Sequence, residues 1–270
     1  MVAIYLKERG HKVLGFARKP SKYVDSITGD AFDTTLLSDI IEKGDFDAVI
    51  NCIGILNQFA EQDKKTAVFL NAYLPHFLAD VTKSLKTKII HISTDCVFSG
   101  KKGGYTERDF KDGESFYDRT KALGELDDNK NVTLRTSIIG PDLNPNGIGL
   151  LNWFLNSEGK VNGYLRAIWT GQTTLQLAKT IEAATEKNAT GLINAVPEKS
   201  INKYELLCLF NEYFRNGSVT VNAVEGVILD KSLKRTNFDF DYKIPDYREM
   251  IAELFSWTLA HKDMYPHYHL

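Results

Sequence analysis

Long apolar runs are missing from this 270-residue chain. Nowhere do about 18 apolar residues follow one another, so no segment reads as a membrane-spanning helix. Cysteine is scarce: Cys52, Cys96 and Cys208 are the only three, and their spacing is neither metal-binding nor redox-active. That excludes a disulfide scaffold and fits a reduced, cytoplasmic compartment. Neither sign of charge is in excess, because 33 Lys and Arg stand against 35 Asp and Glu for a formal net charge of -2. A nucleic-acid coat and a polybasic membrane anchor are therefore excluded, although a local phosphate pocket is not. The opening Met1–Gly10 stretch is too charged, and too short in apolar residues, for a signal peptide. Asn131, Asn188 and Asn216 head glycosylation patterns that mean nothing without secretion. Repeats and low-complexity segments are absent too. The weightiest absence is a glycine fingerprint: there is no G-x-G-x-x-G or G-x-x-G-x-x-G.

What is there is the composition of a globular protein, 43% hydrophobic and 25% charged, long enough for a full core. Short apolar runs alternate with helical stretches. Ala3 to Arg9 reads as the end of a helix stopped by Gly10, and Lys12–Ala17 as a buried strand. The pattern continues with a helix from Thr35 to Lys43, a strand over Phe46–Ile53 and one long helix from Asp63 to Leu85 that contains Pro75. A strand at Lys88–Ser93, a helix from Tyr117 to Leu126 and a strand at Val132–Ile139 follow. Such alternation predicts an α/β fold, a doubly wound parallel sheet of Rossmann-like type. Beyond Gly140-Pro141 the pattern loosens. Residues 1–140 thus read as a dinucleotide-binding domain, and 141–270 as a smaller substrate-binding lobe interleaved with the main sheet through strands such as Gly191–Val196.

A sheet of this kind opens with a central strand and a glycine-rich turn before its first helix. Here the chain begins inside that helix. The missing strand belongs between two that are present, and without it their edge groups stay unpaired in the core. The expectation is that the sequence lacks its true start; the alternative is a natural domain that has lost dinucleotide binding.

The strongest chemical signal is Tyr117-Asp-Arg-Thr-Lys121 on a helix, after a strand ending Ser93-Thr-Asp-Cys-Val-Phe-Ser-Gly100. Residues four apart share a helical face. A phenol ordinarily titrates near pH 10, and an adjacent ammonium lowers that value toward a useful range. Thr94, at the carboxyl end of its strand, can donate a hydrogen bond to a substrate carbonyl, and open α/β sheets bind ligands at that end. Tyr-x-x-x-Lys alone is common by chance; its order after a strand ending Ser-Thr-Asp gives it weight.

On these residues the chain resembles an extended short-chain dehydrogenase/reductase, and most closely the dTDP-4-dehydrorhamnose reductase family. The resemblance also takes in Asn51-Cys-Ile-Gly54, Asn71-Ala-Tyr-Leu-Pro75, Tyr105-Thr-Glu107, Gly124-Glu125 and Leu134-Arg-Thr-Ser137. It implies hydride transfer from a nicotinamide to the C4 ketone of a nucleotide-linked sugar, in surface polysaccharide biosynthesis. Tyr117 would protonate the developing alkoxide, Lys121 would hold the nicotinamide ribose and lower the Tyr117 pKa, and Thr94 would polarise the carbonyl. Asp95 completes the catalytic set by resemblance. Where the family often has tyrosine, this chain has Cys96, a departure that bears on substrate contact together with Val97 and Trp153. Cofactor contacts are implied at Arg18, Asp33, Ile53, Gly54 and Asn71. Arg18 and Lys19 follow a strand where a basic group suits a ribose 2′-phosphate, which favours NADPH and leaves NADH open. Asp33 serves equally as a helix cap. His91 reads as a sheet residue and not a base, and the irregular spacing of His261, His267 and His269 argues against a metal. The family also implies a homodimer, which no stripe in the sequence establishes. Two other readings stay open: a non-catalytic sugar-nucleotide-binding subunit, and an epimerase or dehydratase of the same superfamily, for which Asp95 offers an acid.

Overall fold

The computed structural model describes residues 1–268. It opens with helix α1 (Val2–Glu8), strands β1 (Leu14–Ala17) and β2 (Asp25–Thr28), helix α2 (Thr34–Lys43) and strand β3 (Ala48–Asn51). Helices α3 (Asn57–Gln62) and α4 (Lys64–Ala67) run through a π-helical turn (Val68–Tyr73) into α5 (Leu74–Val81). Strand β4 (Lys88–Thr94), helix α6 (Phe116–Leu123) and strand β5 (Val132–Thr136) follow. The second half holds β6 (Ile138–Ile139), α7 (Leu150–Leu155), β7 (Lys160–Tyr164), β8 (Ala167–Trp169), β9 (Gln172–Thr173) and α8 (Thr174–Glu186). Then come β10 (Gly191–Asn194), β11 (Ile201–Asn202), α9 (Lys203–Phe214), β12 (Thr220–Val224), β13 (Leu229–Asp230) and α10 (Tyr247–Ala260).

The fold is α/β, with a parallel sheet in the order β10-β5-β4-β3. Its strands are apolar on both faces because helices cover both. Successive side chains of β4 show this: Ile89 packs with Leu37, Ile41, Leu74 and Leu78 of α2 and α5. Ile90 turns the other way, into a cluster with Ile181 of α8 and Leu254 of α10. Strand β10 comes from the second half of the chain, so that half is woven into the sheet. Strands β1 and β2 pair only with each other, and β3 has no partner beyond β4 among the described residues. The β1-β2 pair is thus separate from the sheet that ends at β3. Side chains bridge the split, since Phe16 of β1 packs beside Val49 and Ile53.

The structure corrects three expectations about elements. Strand β2 was not expected: Asp25-Ser-Ile-Thr28 has one strongly apolar residue and is recognisable only by its pairing with β1. The long helix expected over 63–85 is three segments. Pro75 has no N–H to give the Asn71 carbonyl, so the helix widens into a π turn before it. Gly124 closes on that freed carbonyl, where a Cβ would stand 1.9 Å from the oxygen. The strand expected to Ile139 breaks at Ser137 into β5 and β6, which enter different sheets.

Helix α1 is tied to α8 through the buried Glu182. Its carboxylate accepts from Tyr5 Oη at 2.8 Å and Arg9 Nε at 3.1 Å, and meets His11 Nε2 at 3.0 Å. No helix among the described residues is long and apolar enough to cross a membrane. His269 lies outside the described residues.

Candidate active site

Strand β4 ends at Thr94, which pairs with Thr136 of β5 while its side chain caps a 3-10 turn over Asp95–Val97. Its Oγ1 accepts the Cys96 N–H at 3.1 Å and donates to Asp95 Oδ1 at 3.2 Å. Helix α6 starts at Ser115, whose Oγ accepts from Asp118 N at 3.0 Å while Asp118 Oδ2 accepts from Ser115 N at 3.1 Å. This reciprocal cap sets where the first helical turn begins, and so where Tyr117 points. Tyr117 packs with Ile55, with Ala60 and with Cys96, two residues past Thr94. Lys121, one turn along, is buried and donates to the Ile92 carbonyl at 2.8 Å.

The electrostatics differ from the sequence expectation. Burial raises the Tyr117 pKa, with the Cys96 sulfur adding to it and the nearby Thr94 hydroxyl opposing. The Lys121 amino group turns toward β4, and burial lowers its own pKa to about 8 against the pull of Glu125 and Cys52. Asp95 is buried and its pKa is raised by desolvation, only partly offset by Lys231, Lys203 and the Thr94 hydroxyl. Burial, then Asp95, push the Cys96 thiol up to about 12. Lys203, at the start of α9, lies 4.9 Å from the Trp169 ring centroid, and burial lowers its pKa to about 8 while Asp95 opposes. Nothing in the sequence pointed to Lys203. It is one lysine among many until the second half of the chain folds over the carboxyl end of β4.

The remaining sequence candidates spread across several roles. Asn71 is fully buried, and its amide is spent inside the protein. Oδ1 accepts from Ile55 N at 2.9 Å, and Nδ2 donates to Ile55 O at 3.0 Å and to Thr120 Oγ1 at 3.2 Å. It therefore shapes the loop after β3, in which Ile53 is half-buried and Gly54 exposed. A Cβ on Gly54 would stand 3.0 Å from Asn71 Oδ1, so glycine lets the loop lie close. Asp33 caps α2, accepting from Leu36 N at 3.0 Å. Arg18 is exposed just past β1. Val97 is wholly buried beside Phe98 and Tyr105. Trp153 stands half-exposed on α7.

Beneath the site lies an ion pair with no solvent exposure on either side chain. Arg135 of β5 donates from Nε to Glu125 Oε1 at 2.8 Å and from Nη2 to Oε2 at 2.7 Å. Ser93 donates to the same carboxylate at 2.7 Å, Lys111 approaches it at 2.7 Å, and Arg135 Nη1 reaches Asn194 Oδ1 at 3.1 Å. One network thus fixes β4, β5 and β10 to the end of α6.

The family described as the RmlD substrate binding domain matches residues 2–150, more than half of the chain. The chain belongs to this family. It is a family of NAD(P)-dependent sugar-nucleotide reductases within the extended short-chain dehydrogenases. The curated protein named "Probable low-salt glycan biosynthesis reductase Agl14" from Haloferax volcanii is 32% identical over 124 residues, 44% of this chain and 41% of that protein. The chain therefore spans about two fifths of that relative's length. A structure described as a hypothetical dTDP-4-dehydrorhamnose reductase from Sulfolobus tokodaii superposes with a TM-score of 0.75 at 25% identity, covering 91% of this chain and 92% of that one. The dTDP-4-dehydrorhamnose reductase of Bacillus anthracis, solved in complex with NADP, matches in fold with a TM-score of 0.75 at 18% identity, over 91% of this chain and 99% of that one.

Proposed function

We propose that this RmlD-family chain reduces the C4 ketone of a nucleotide-linked sugar with NADPH, or with NADH, as a step in building surface polysaccharide. The supporting observation is that Tyr117 packs against Cys96, in the turn that Thr94 caps at the carboxyl end of β4, with Lys121 one helical turn further on. Thr94 donates to the carbonyl oxygen. Tyr117, kept protonated by burial, gives its proton to that oxygen as charge builds on it, the task of a general acid. The nicotinamide, when bound, supplies the hydride. Lys121 and the loop at Ile53-Gly54 would hold its ribose, and Arg18 the far ribose. The turn that would hold the pyrophosphate has no counterpart in this sequence.

Two readings compete with this one. A dehydratase needs a base beside its acid, and the neighbour of Asp95 is a thiol pushed up to about 12; that weighs against it. The split between β1 and β3 favours a binding subunit without turnover. The two are separated by mixing the chain with NADPH and a 4-keto nucleotide sugar and following nicotinamide absorbance. Oxidation that depends on the sugar supports the reductase. Tight sugar-nucleotide binding with no oxidation of NADPH or NADH supports the subunit.

A further inference from the structure

Lys121 has a buried neighbour that the mechanism above does not use. His91, on β4, has no exposed surface. Its Nε2 lies 3.4 Å from Lys121 Nζ, and its Nδ1 lies 3.2 Å from Asn51 Nδ2 at the end of β3. The orientation of the Asn51 amide is settled by the backbone. The Ile53 N–H can only donate, and it meets Asn51 at 3.1 Å, so that atom is the amide oxygen. The NH2 group therefore faces His91, and Nδ1 must accept.

The proton position follows. Burial above all pushes the His91 pKa well below the usual histidine range, so the ring carries one proton. With Nδ1 accepting, that proton sits on Nε2 and points at Lys121. An ammonium there would set donor against donor. An amine fits: one of its N–H groups donates to Ile92 O at 2.8 Å, and its lone pair takes the imidazole N–H. Histidine tautomers are fixed by the partner of the other nitrogen in just this way.

We propose that Asn51 and His91 are a positioning pair that presents a ring N–H to Lys121 and so holds this lysine as a proton acceptor. Other charged and titratable groups also face the site. Tyr117 lies on α6 itself and Glu125 just past its end, Cys52 follows β3 and is faced by the Met1 amino group, and His76 of α5 acts on His91. Glu125 and Cys52 favour the ammonium, so they oppose the pair. A lysine that changes charge near neutral pH can return a proton to a spent tyrosine, which one at its ordinary value does poorly. The bearing of the pair on turnover rests on the reductase reading; its existence does not.

The test therefore reads no turnover. Nitrogen NMR of 15N-histidine-labelled protein, with His91 assigned from the spectrum of His91→Gln, reports the tautomer directly. Carbon NMR of reductively methylated protein, with Lys121→Arg for assignment, reports the lysine titration. The expected result is a protonated Nε2, an unprotonated Nδ1 and a Lys121 titration near pH 8. A protonated Nδ1, or a Lys121 titrating with the exposed lysines, overturns the proposal. Asn51→Leu adds a sign test in protein shown to be folded. Greater burial alone would depress the Lys121 pKa further. Release of the imidazole to protonate Nδ1 would instead raise it, by about one unit, and a fall would count against the pair.

Discussion

Replacing Arg135 by Met should cost far more stability than its distance from any substrate suggests. The substitution keeps most of the buried volume but removes the guanidinium that donates twice to Glu125 and once to Asn194. What stays behind is a carboxylate with no exposed surface, held by Ser93 and by Lys111, whose side chain is 31% exposed. Breaking one side of a buried pair costs about 3–5 kcal/mol, because the stranded charge keeps its desolvation penalty. With a urea dependence of about 3 kcal/mol per molar, the unfolding midpoint falls by roughly 1–2 M. Followed by far-ultraviolet circular dichroism at neutral pH, a change of less than about 0.3 M would refute the reasoning. The double variant Arg135→Met, Glu125→Gln removes both charges and should recover part of the loss. The effect also carries a pH sign. Burial raises the Glu125 pKa, but Arg135 and Lys111 outweigh it and hold the folded value below the usual 4.5. The contribution is therefore full above the unfolded pKa and is lost as pH falls through the folded one.

Three further predictions follow from the same contacts. Ser115→Ala removes the cap that positions Tyr117 and should cost about 1 kcal/mol in thermal or urea unfolding. It should lower turnover more than it weakens substrate binding, and equal loss in both would contradict the positioning role. Lys121 and Lys203 have folded pKa values lowered to about 8, below their unfolded value. The unfolded chain then binds more protons, so stability should rise with pH from about 8 toward about 10, where the buried tyrosines reverse it. A urea midpoint that falls across that window would contradict the burial of these lysines. Glu182→Ala should loosen α1 from α8, seen as faster amide exchange in residues 2–8, while leaving α6 unchanged.

The layered fold was legible because its strands are apolar on both faces and its helices keep their period. The strand expected at Lys88–Ser93 is there and runs one residue further to Thr94, while the one expected at Val132–Ile139 ends at Thr136. Strand β2 was not legible, since Asp25-Ser-Ile-Thr28 owes its conformation to a partner and not to its own apolar content. The helix break before Pro75 was legible only as a proline; its consequence depends on Gly124, far along the chain, filling the space beside a freed carbonyl. For the site, the Tyr-x-x-x-Lys spacing gave the shared helical face but not the direction of each polar atom. Lys121 reaches back to the Ile92 carbonyl and His91, an outcome set by the depth of the groove between α6 and β4. Asn71 and Val97 were named by resemblance, and their contacts within the chain, to Ile55 and Thr120 for one and to Phe98 and Tyr105 for the other, could not be read from the sequence. The roles of Lys203 and of the Asn51–His91 pair arise from contacts across strands and lobes, which no local pattern encodes.

The central claim is that Tyr117 delivers a proton to a carbonyl oxygen polarised by Thr94. Its most direct test compares native chain with Tyr117→Phe, using NADPH, a 4-keto nucleotide sugar and single-turnover oxidation of the nicotinamide. The account predicts an unchanged urea midpoint and unchanged sugar-nucleotide binding, with the rate down by about 10²–10⁴. A phenylalanine variant that oxidises the cofactor at the native rate would contradict it.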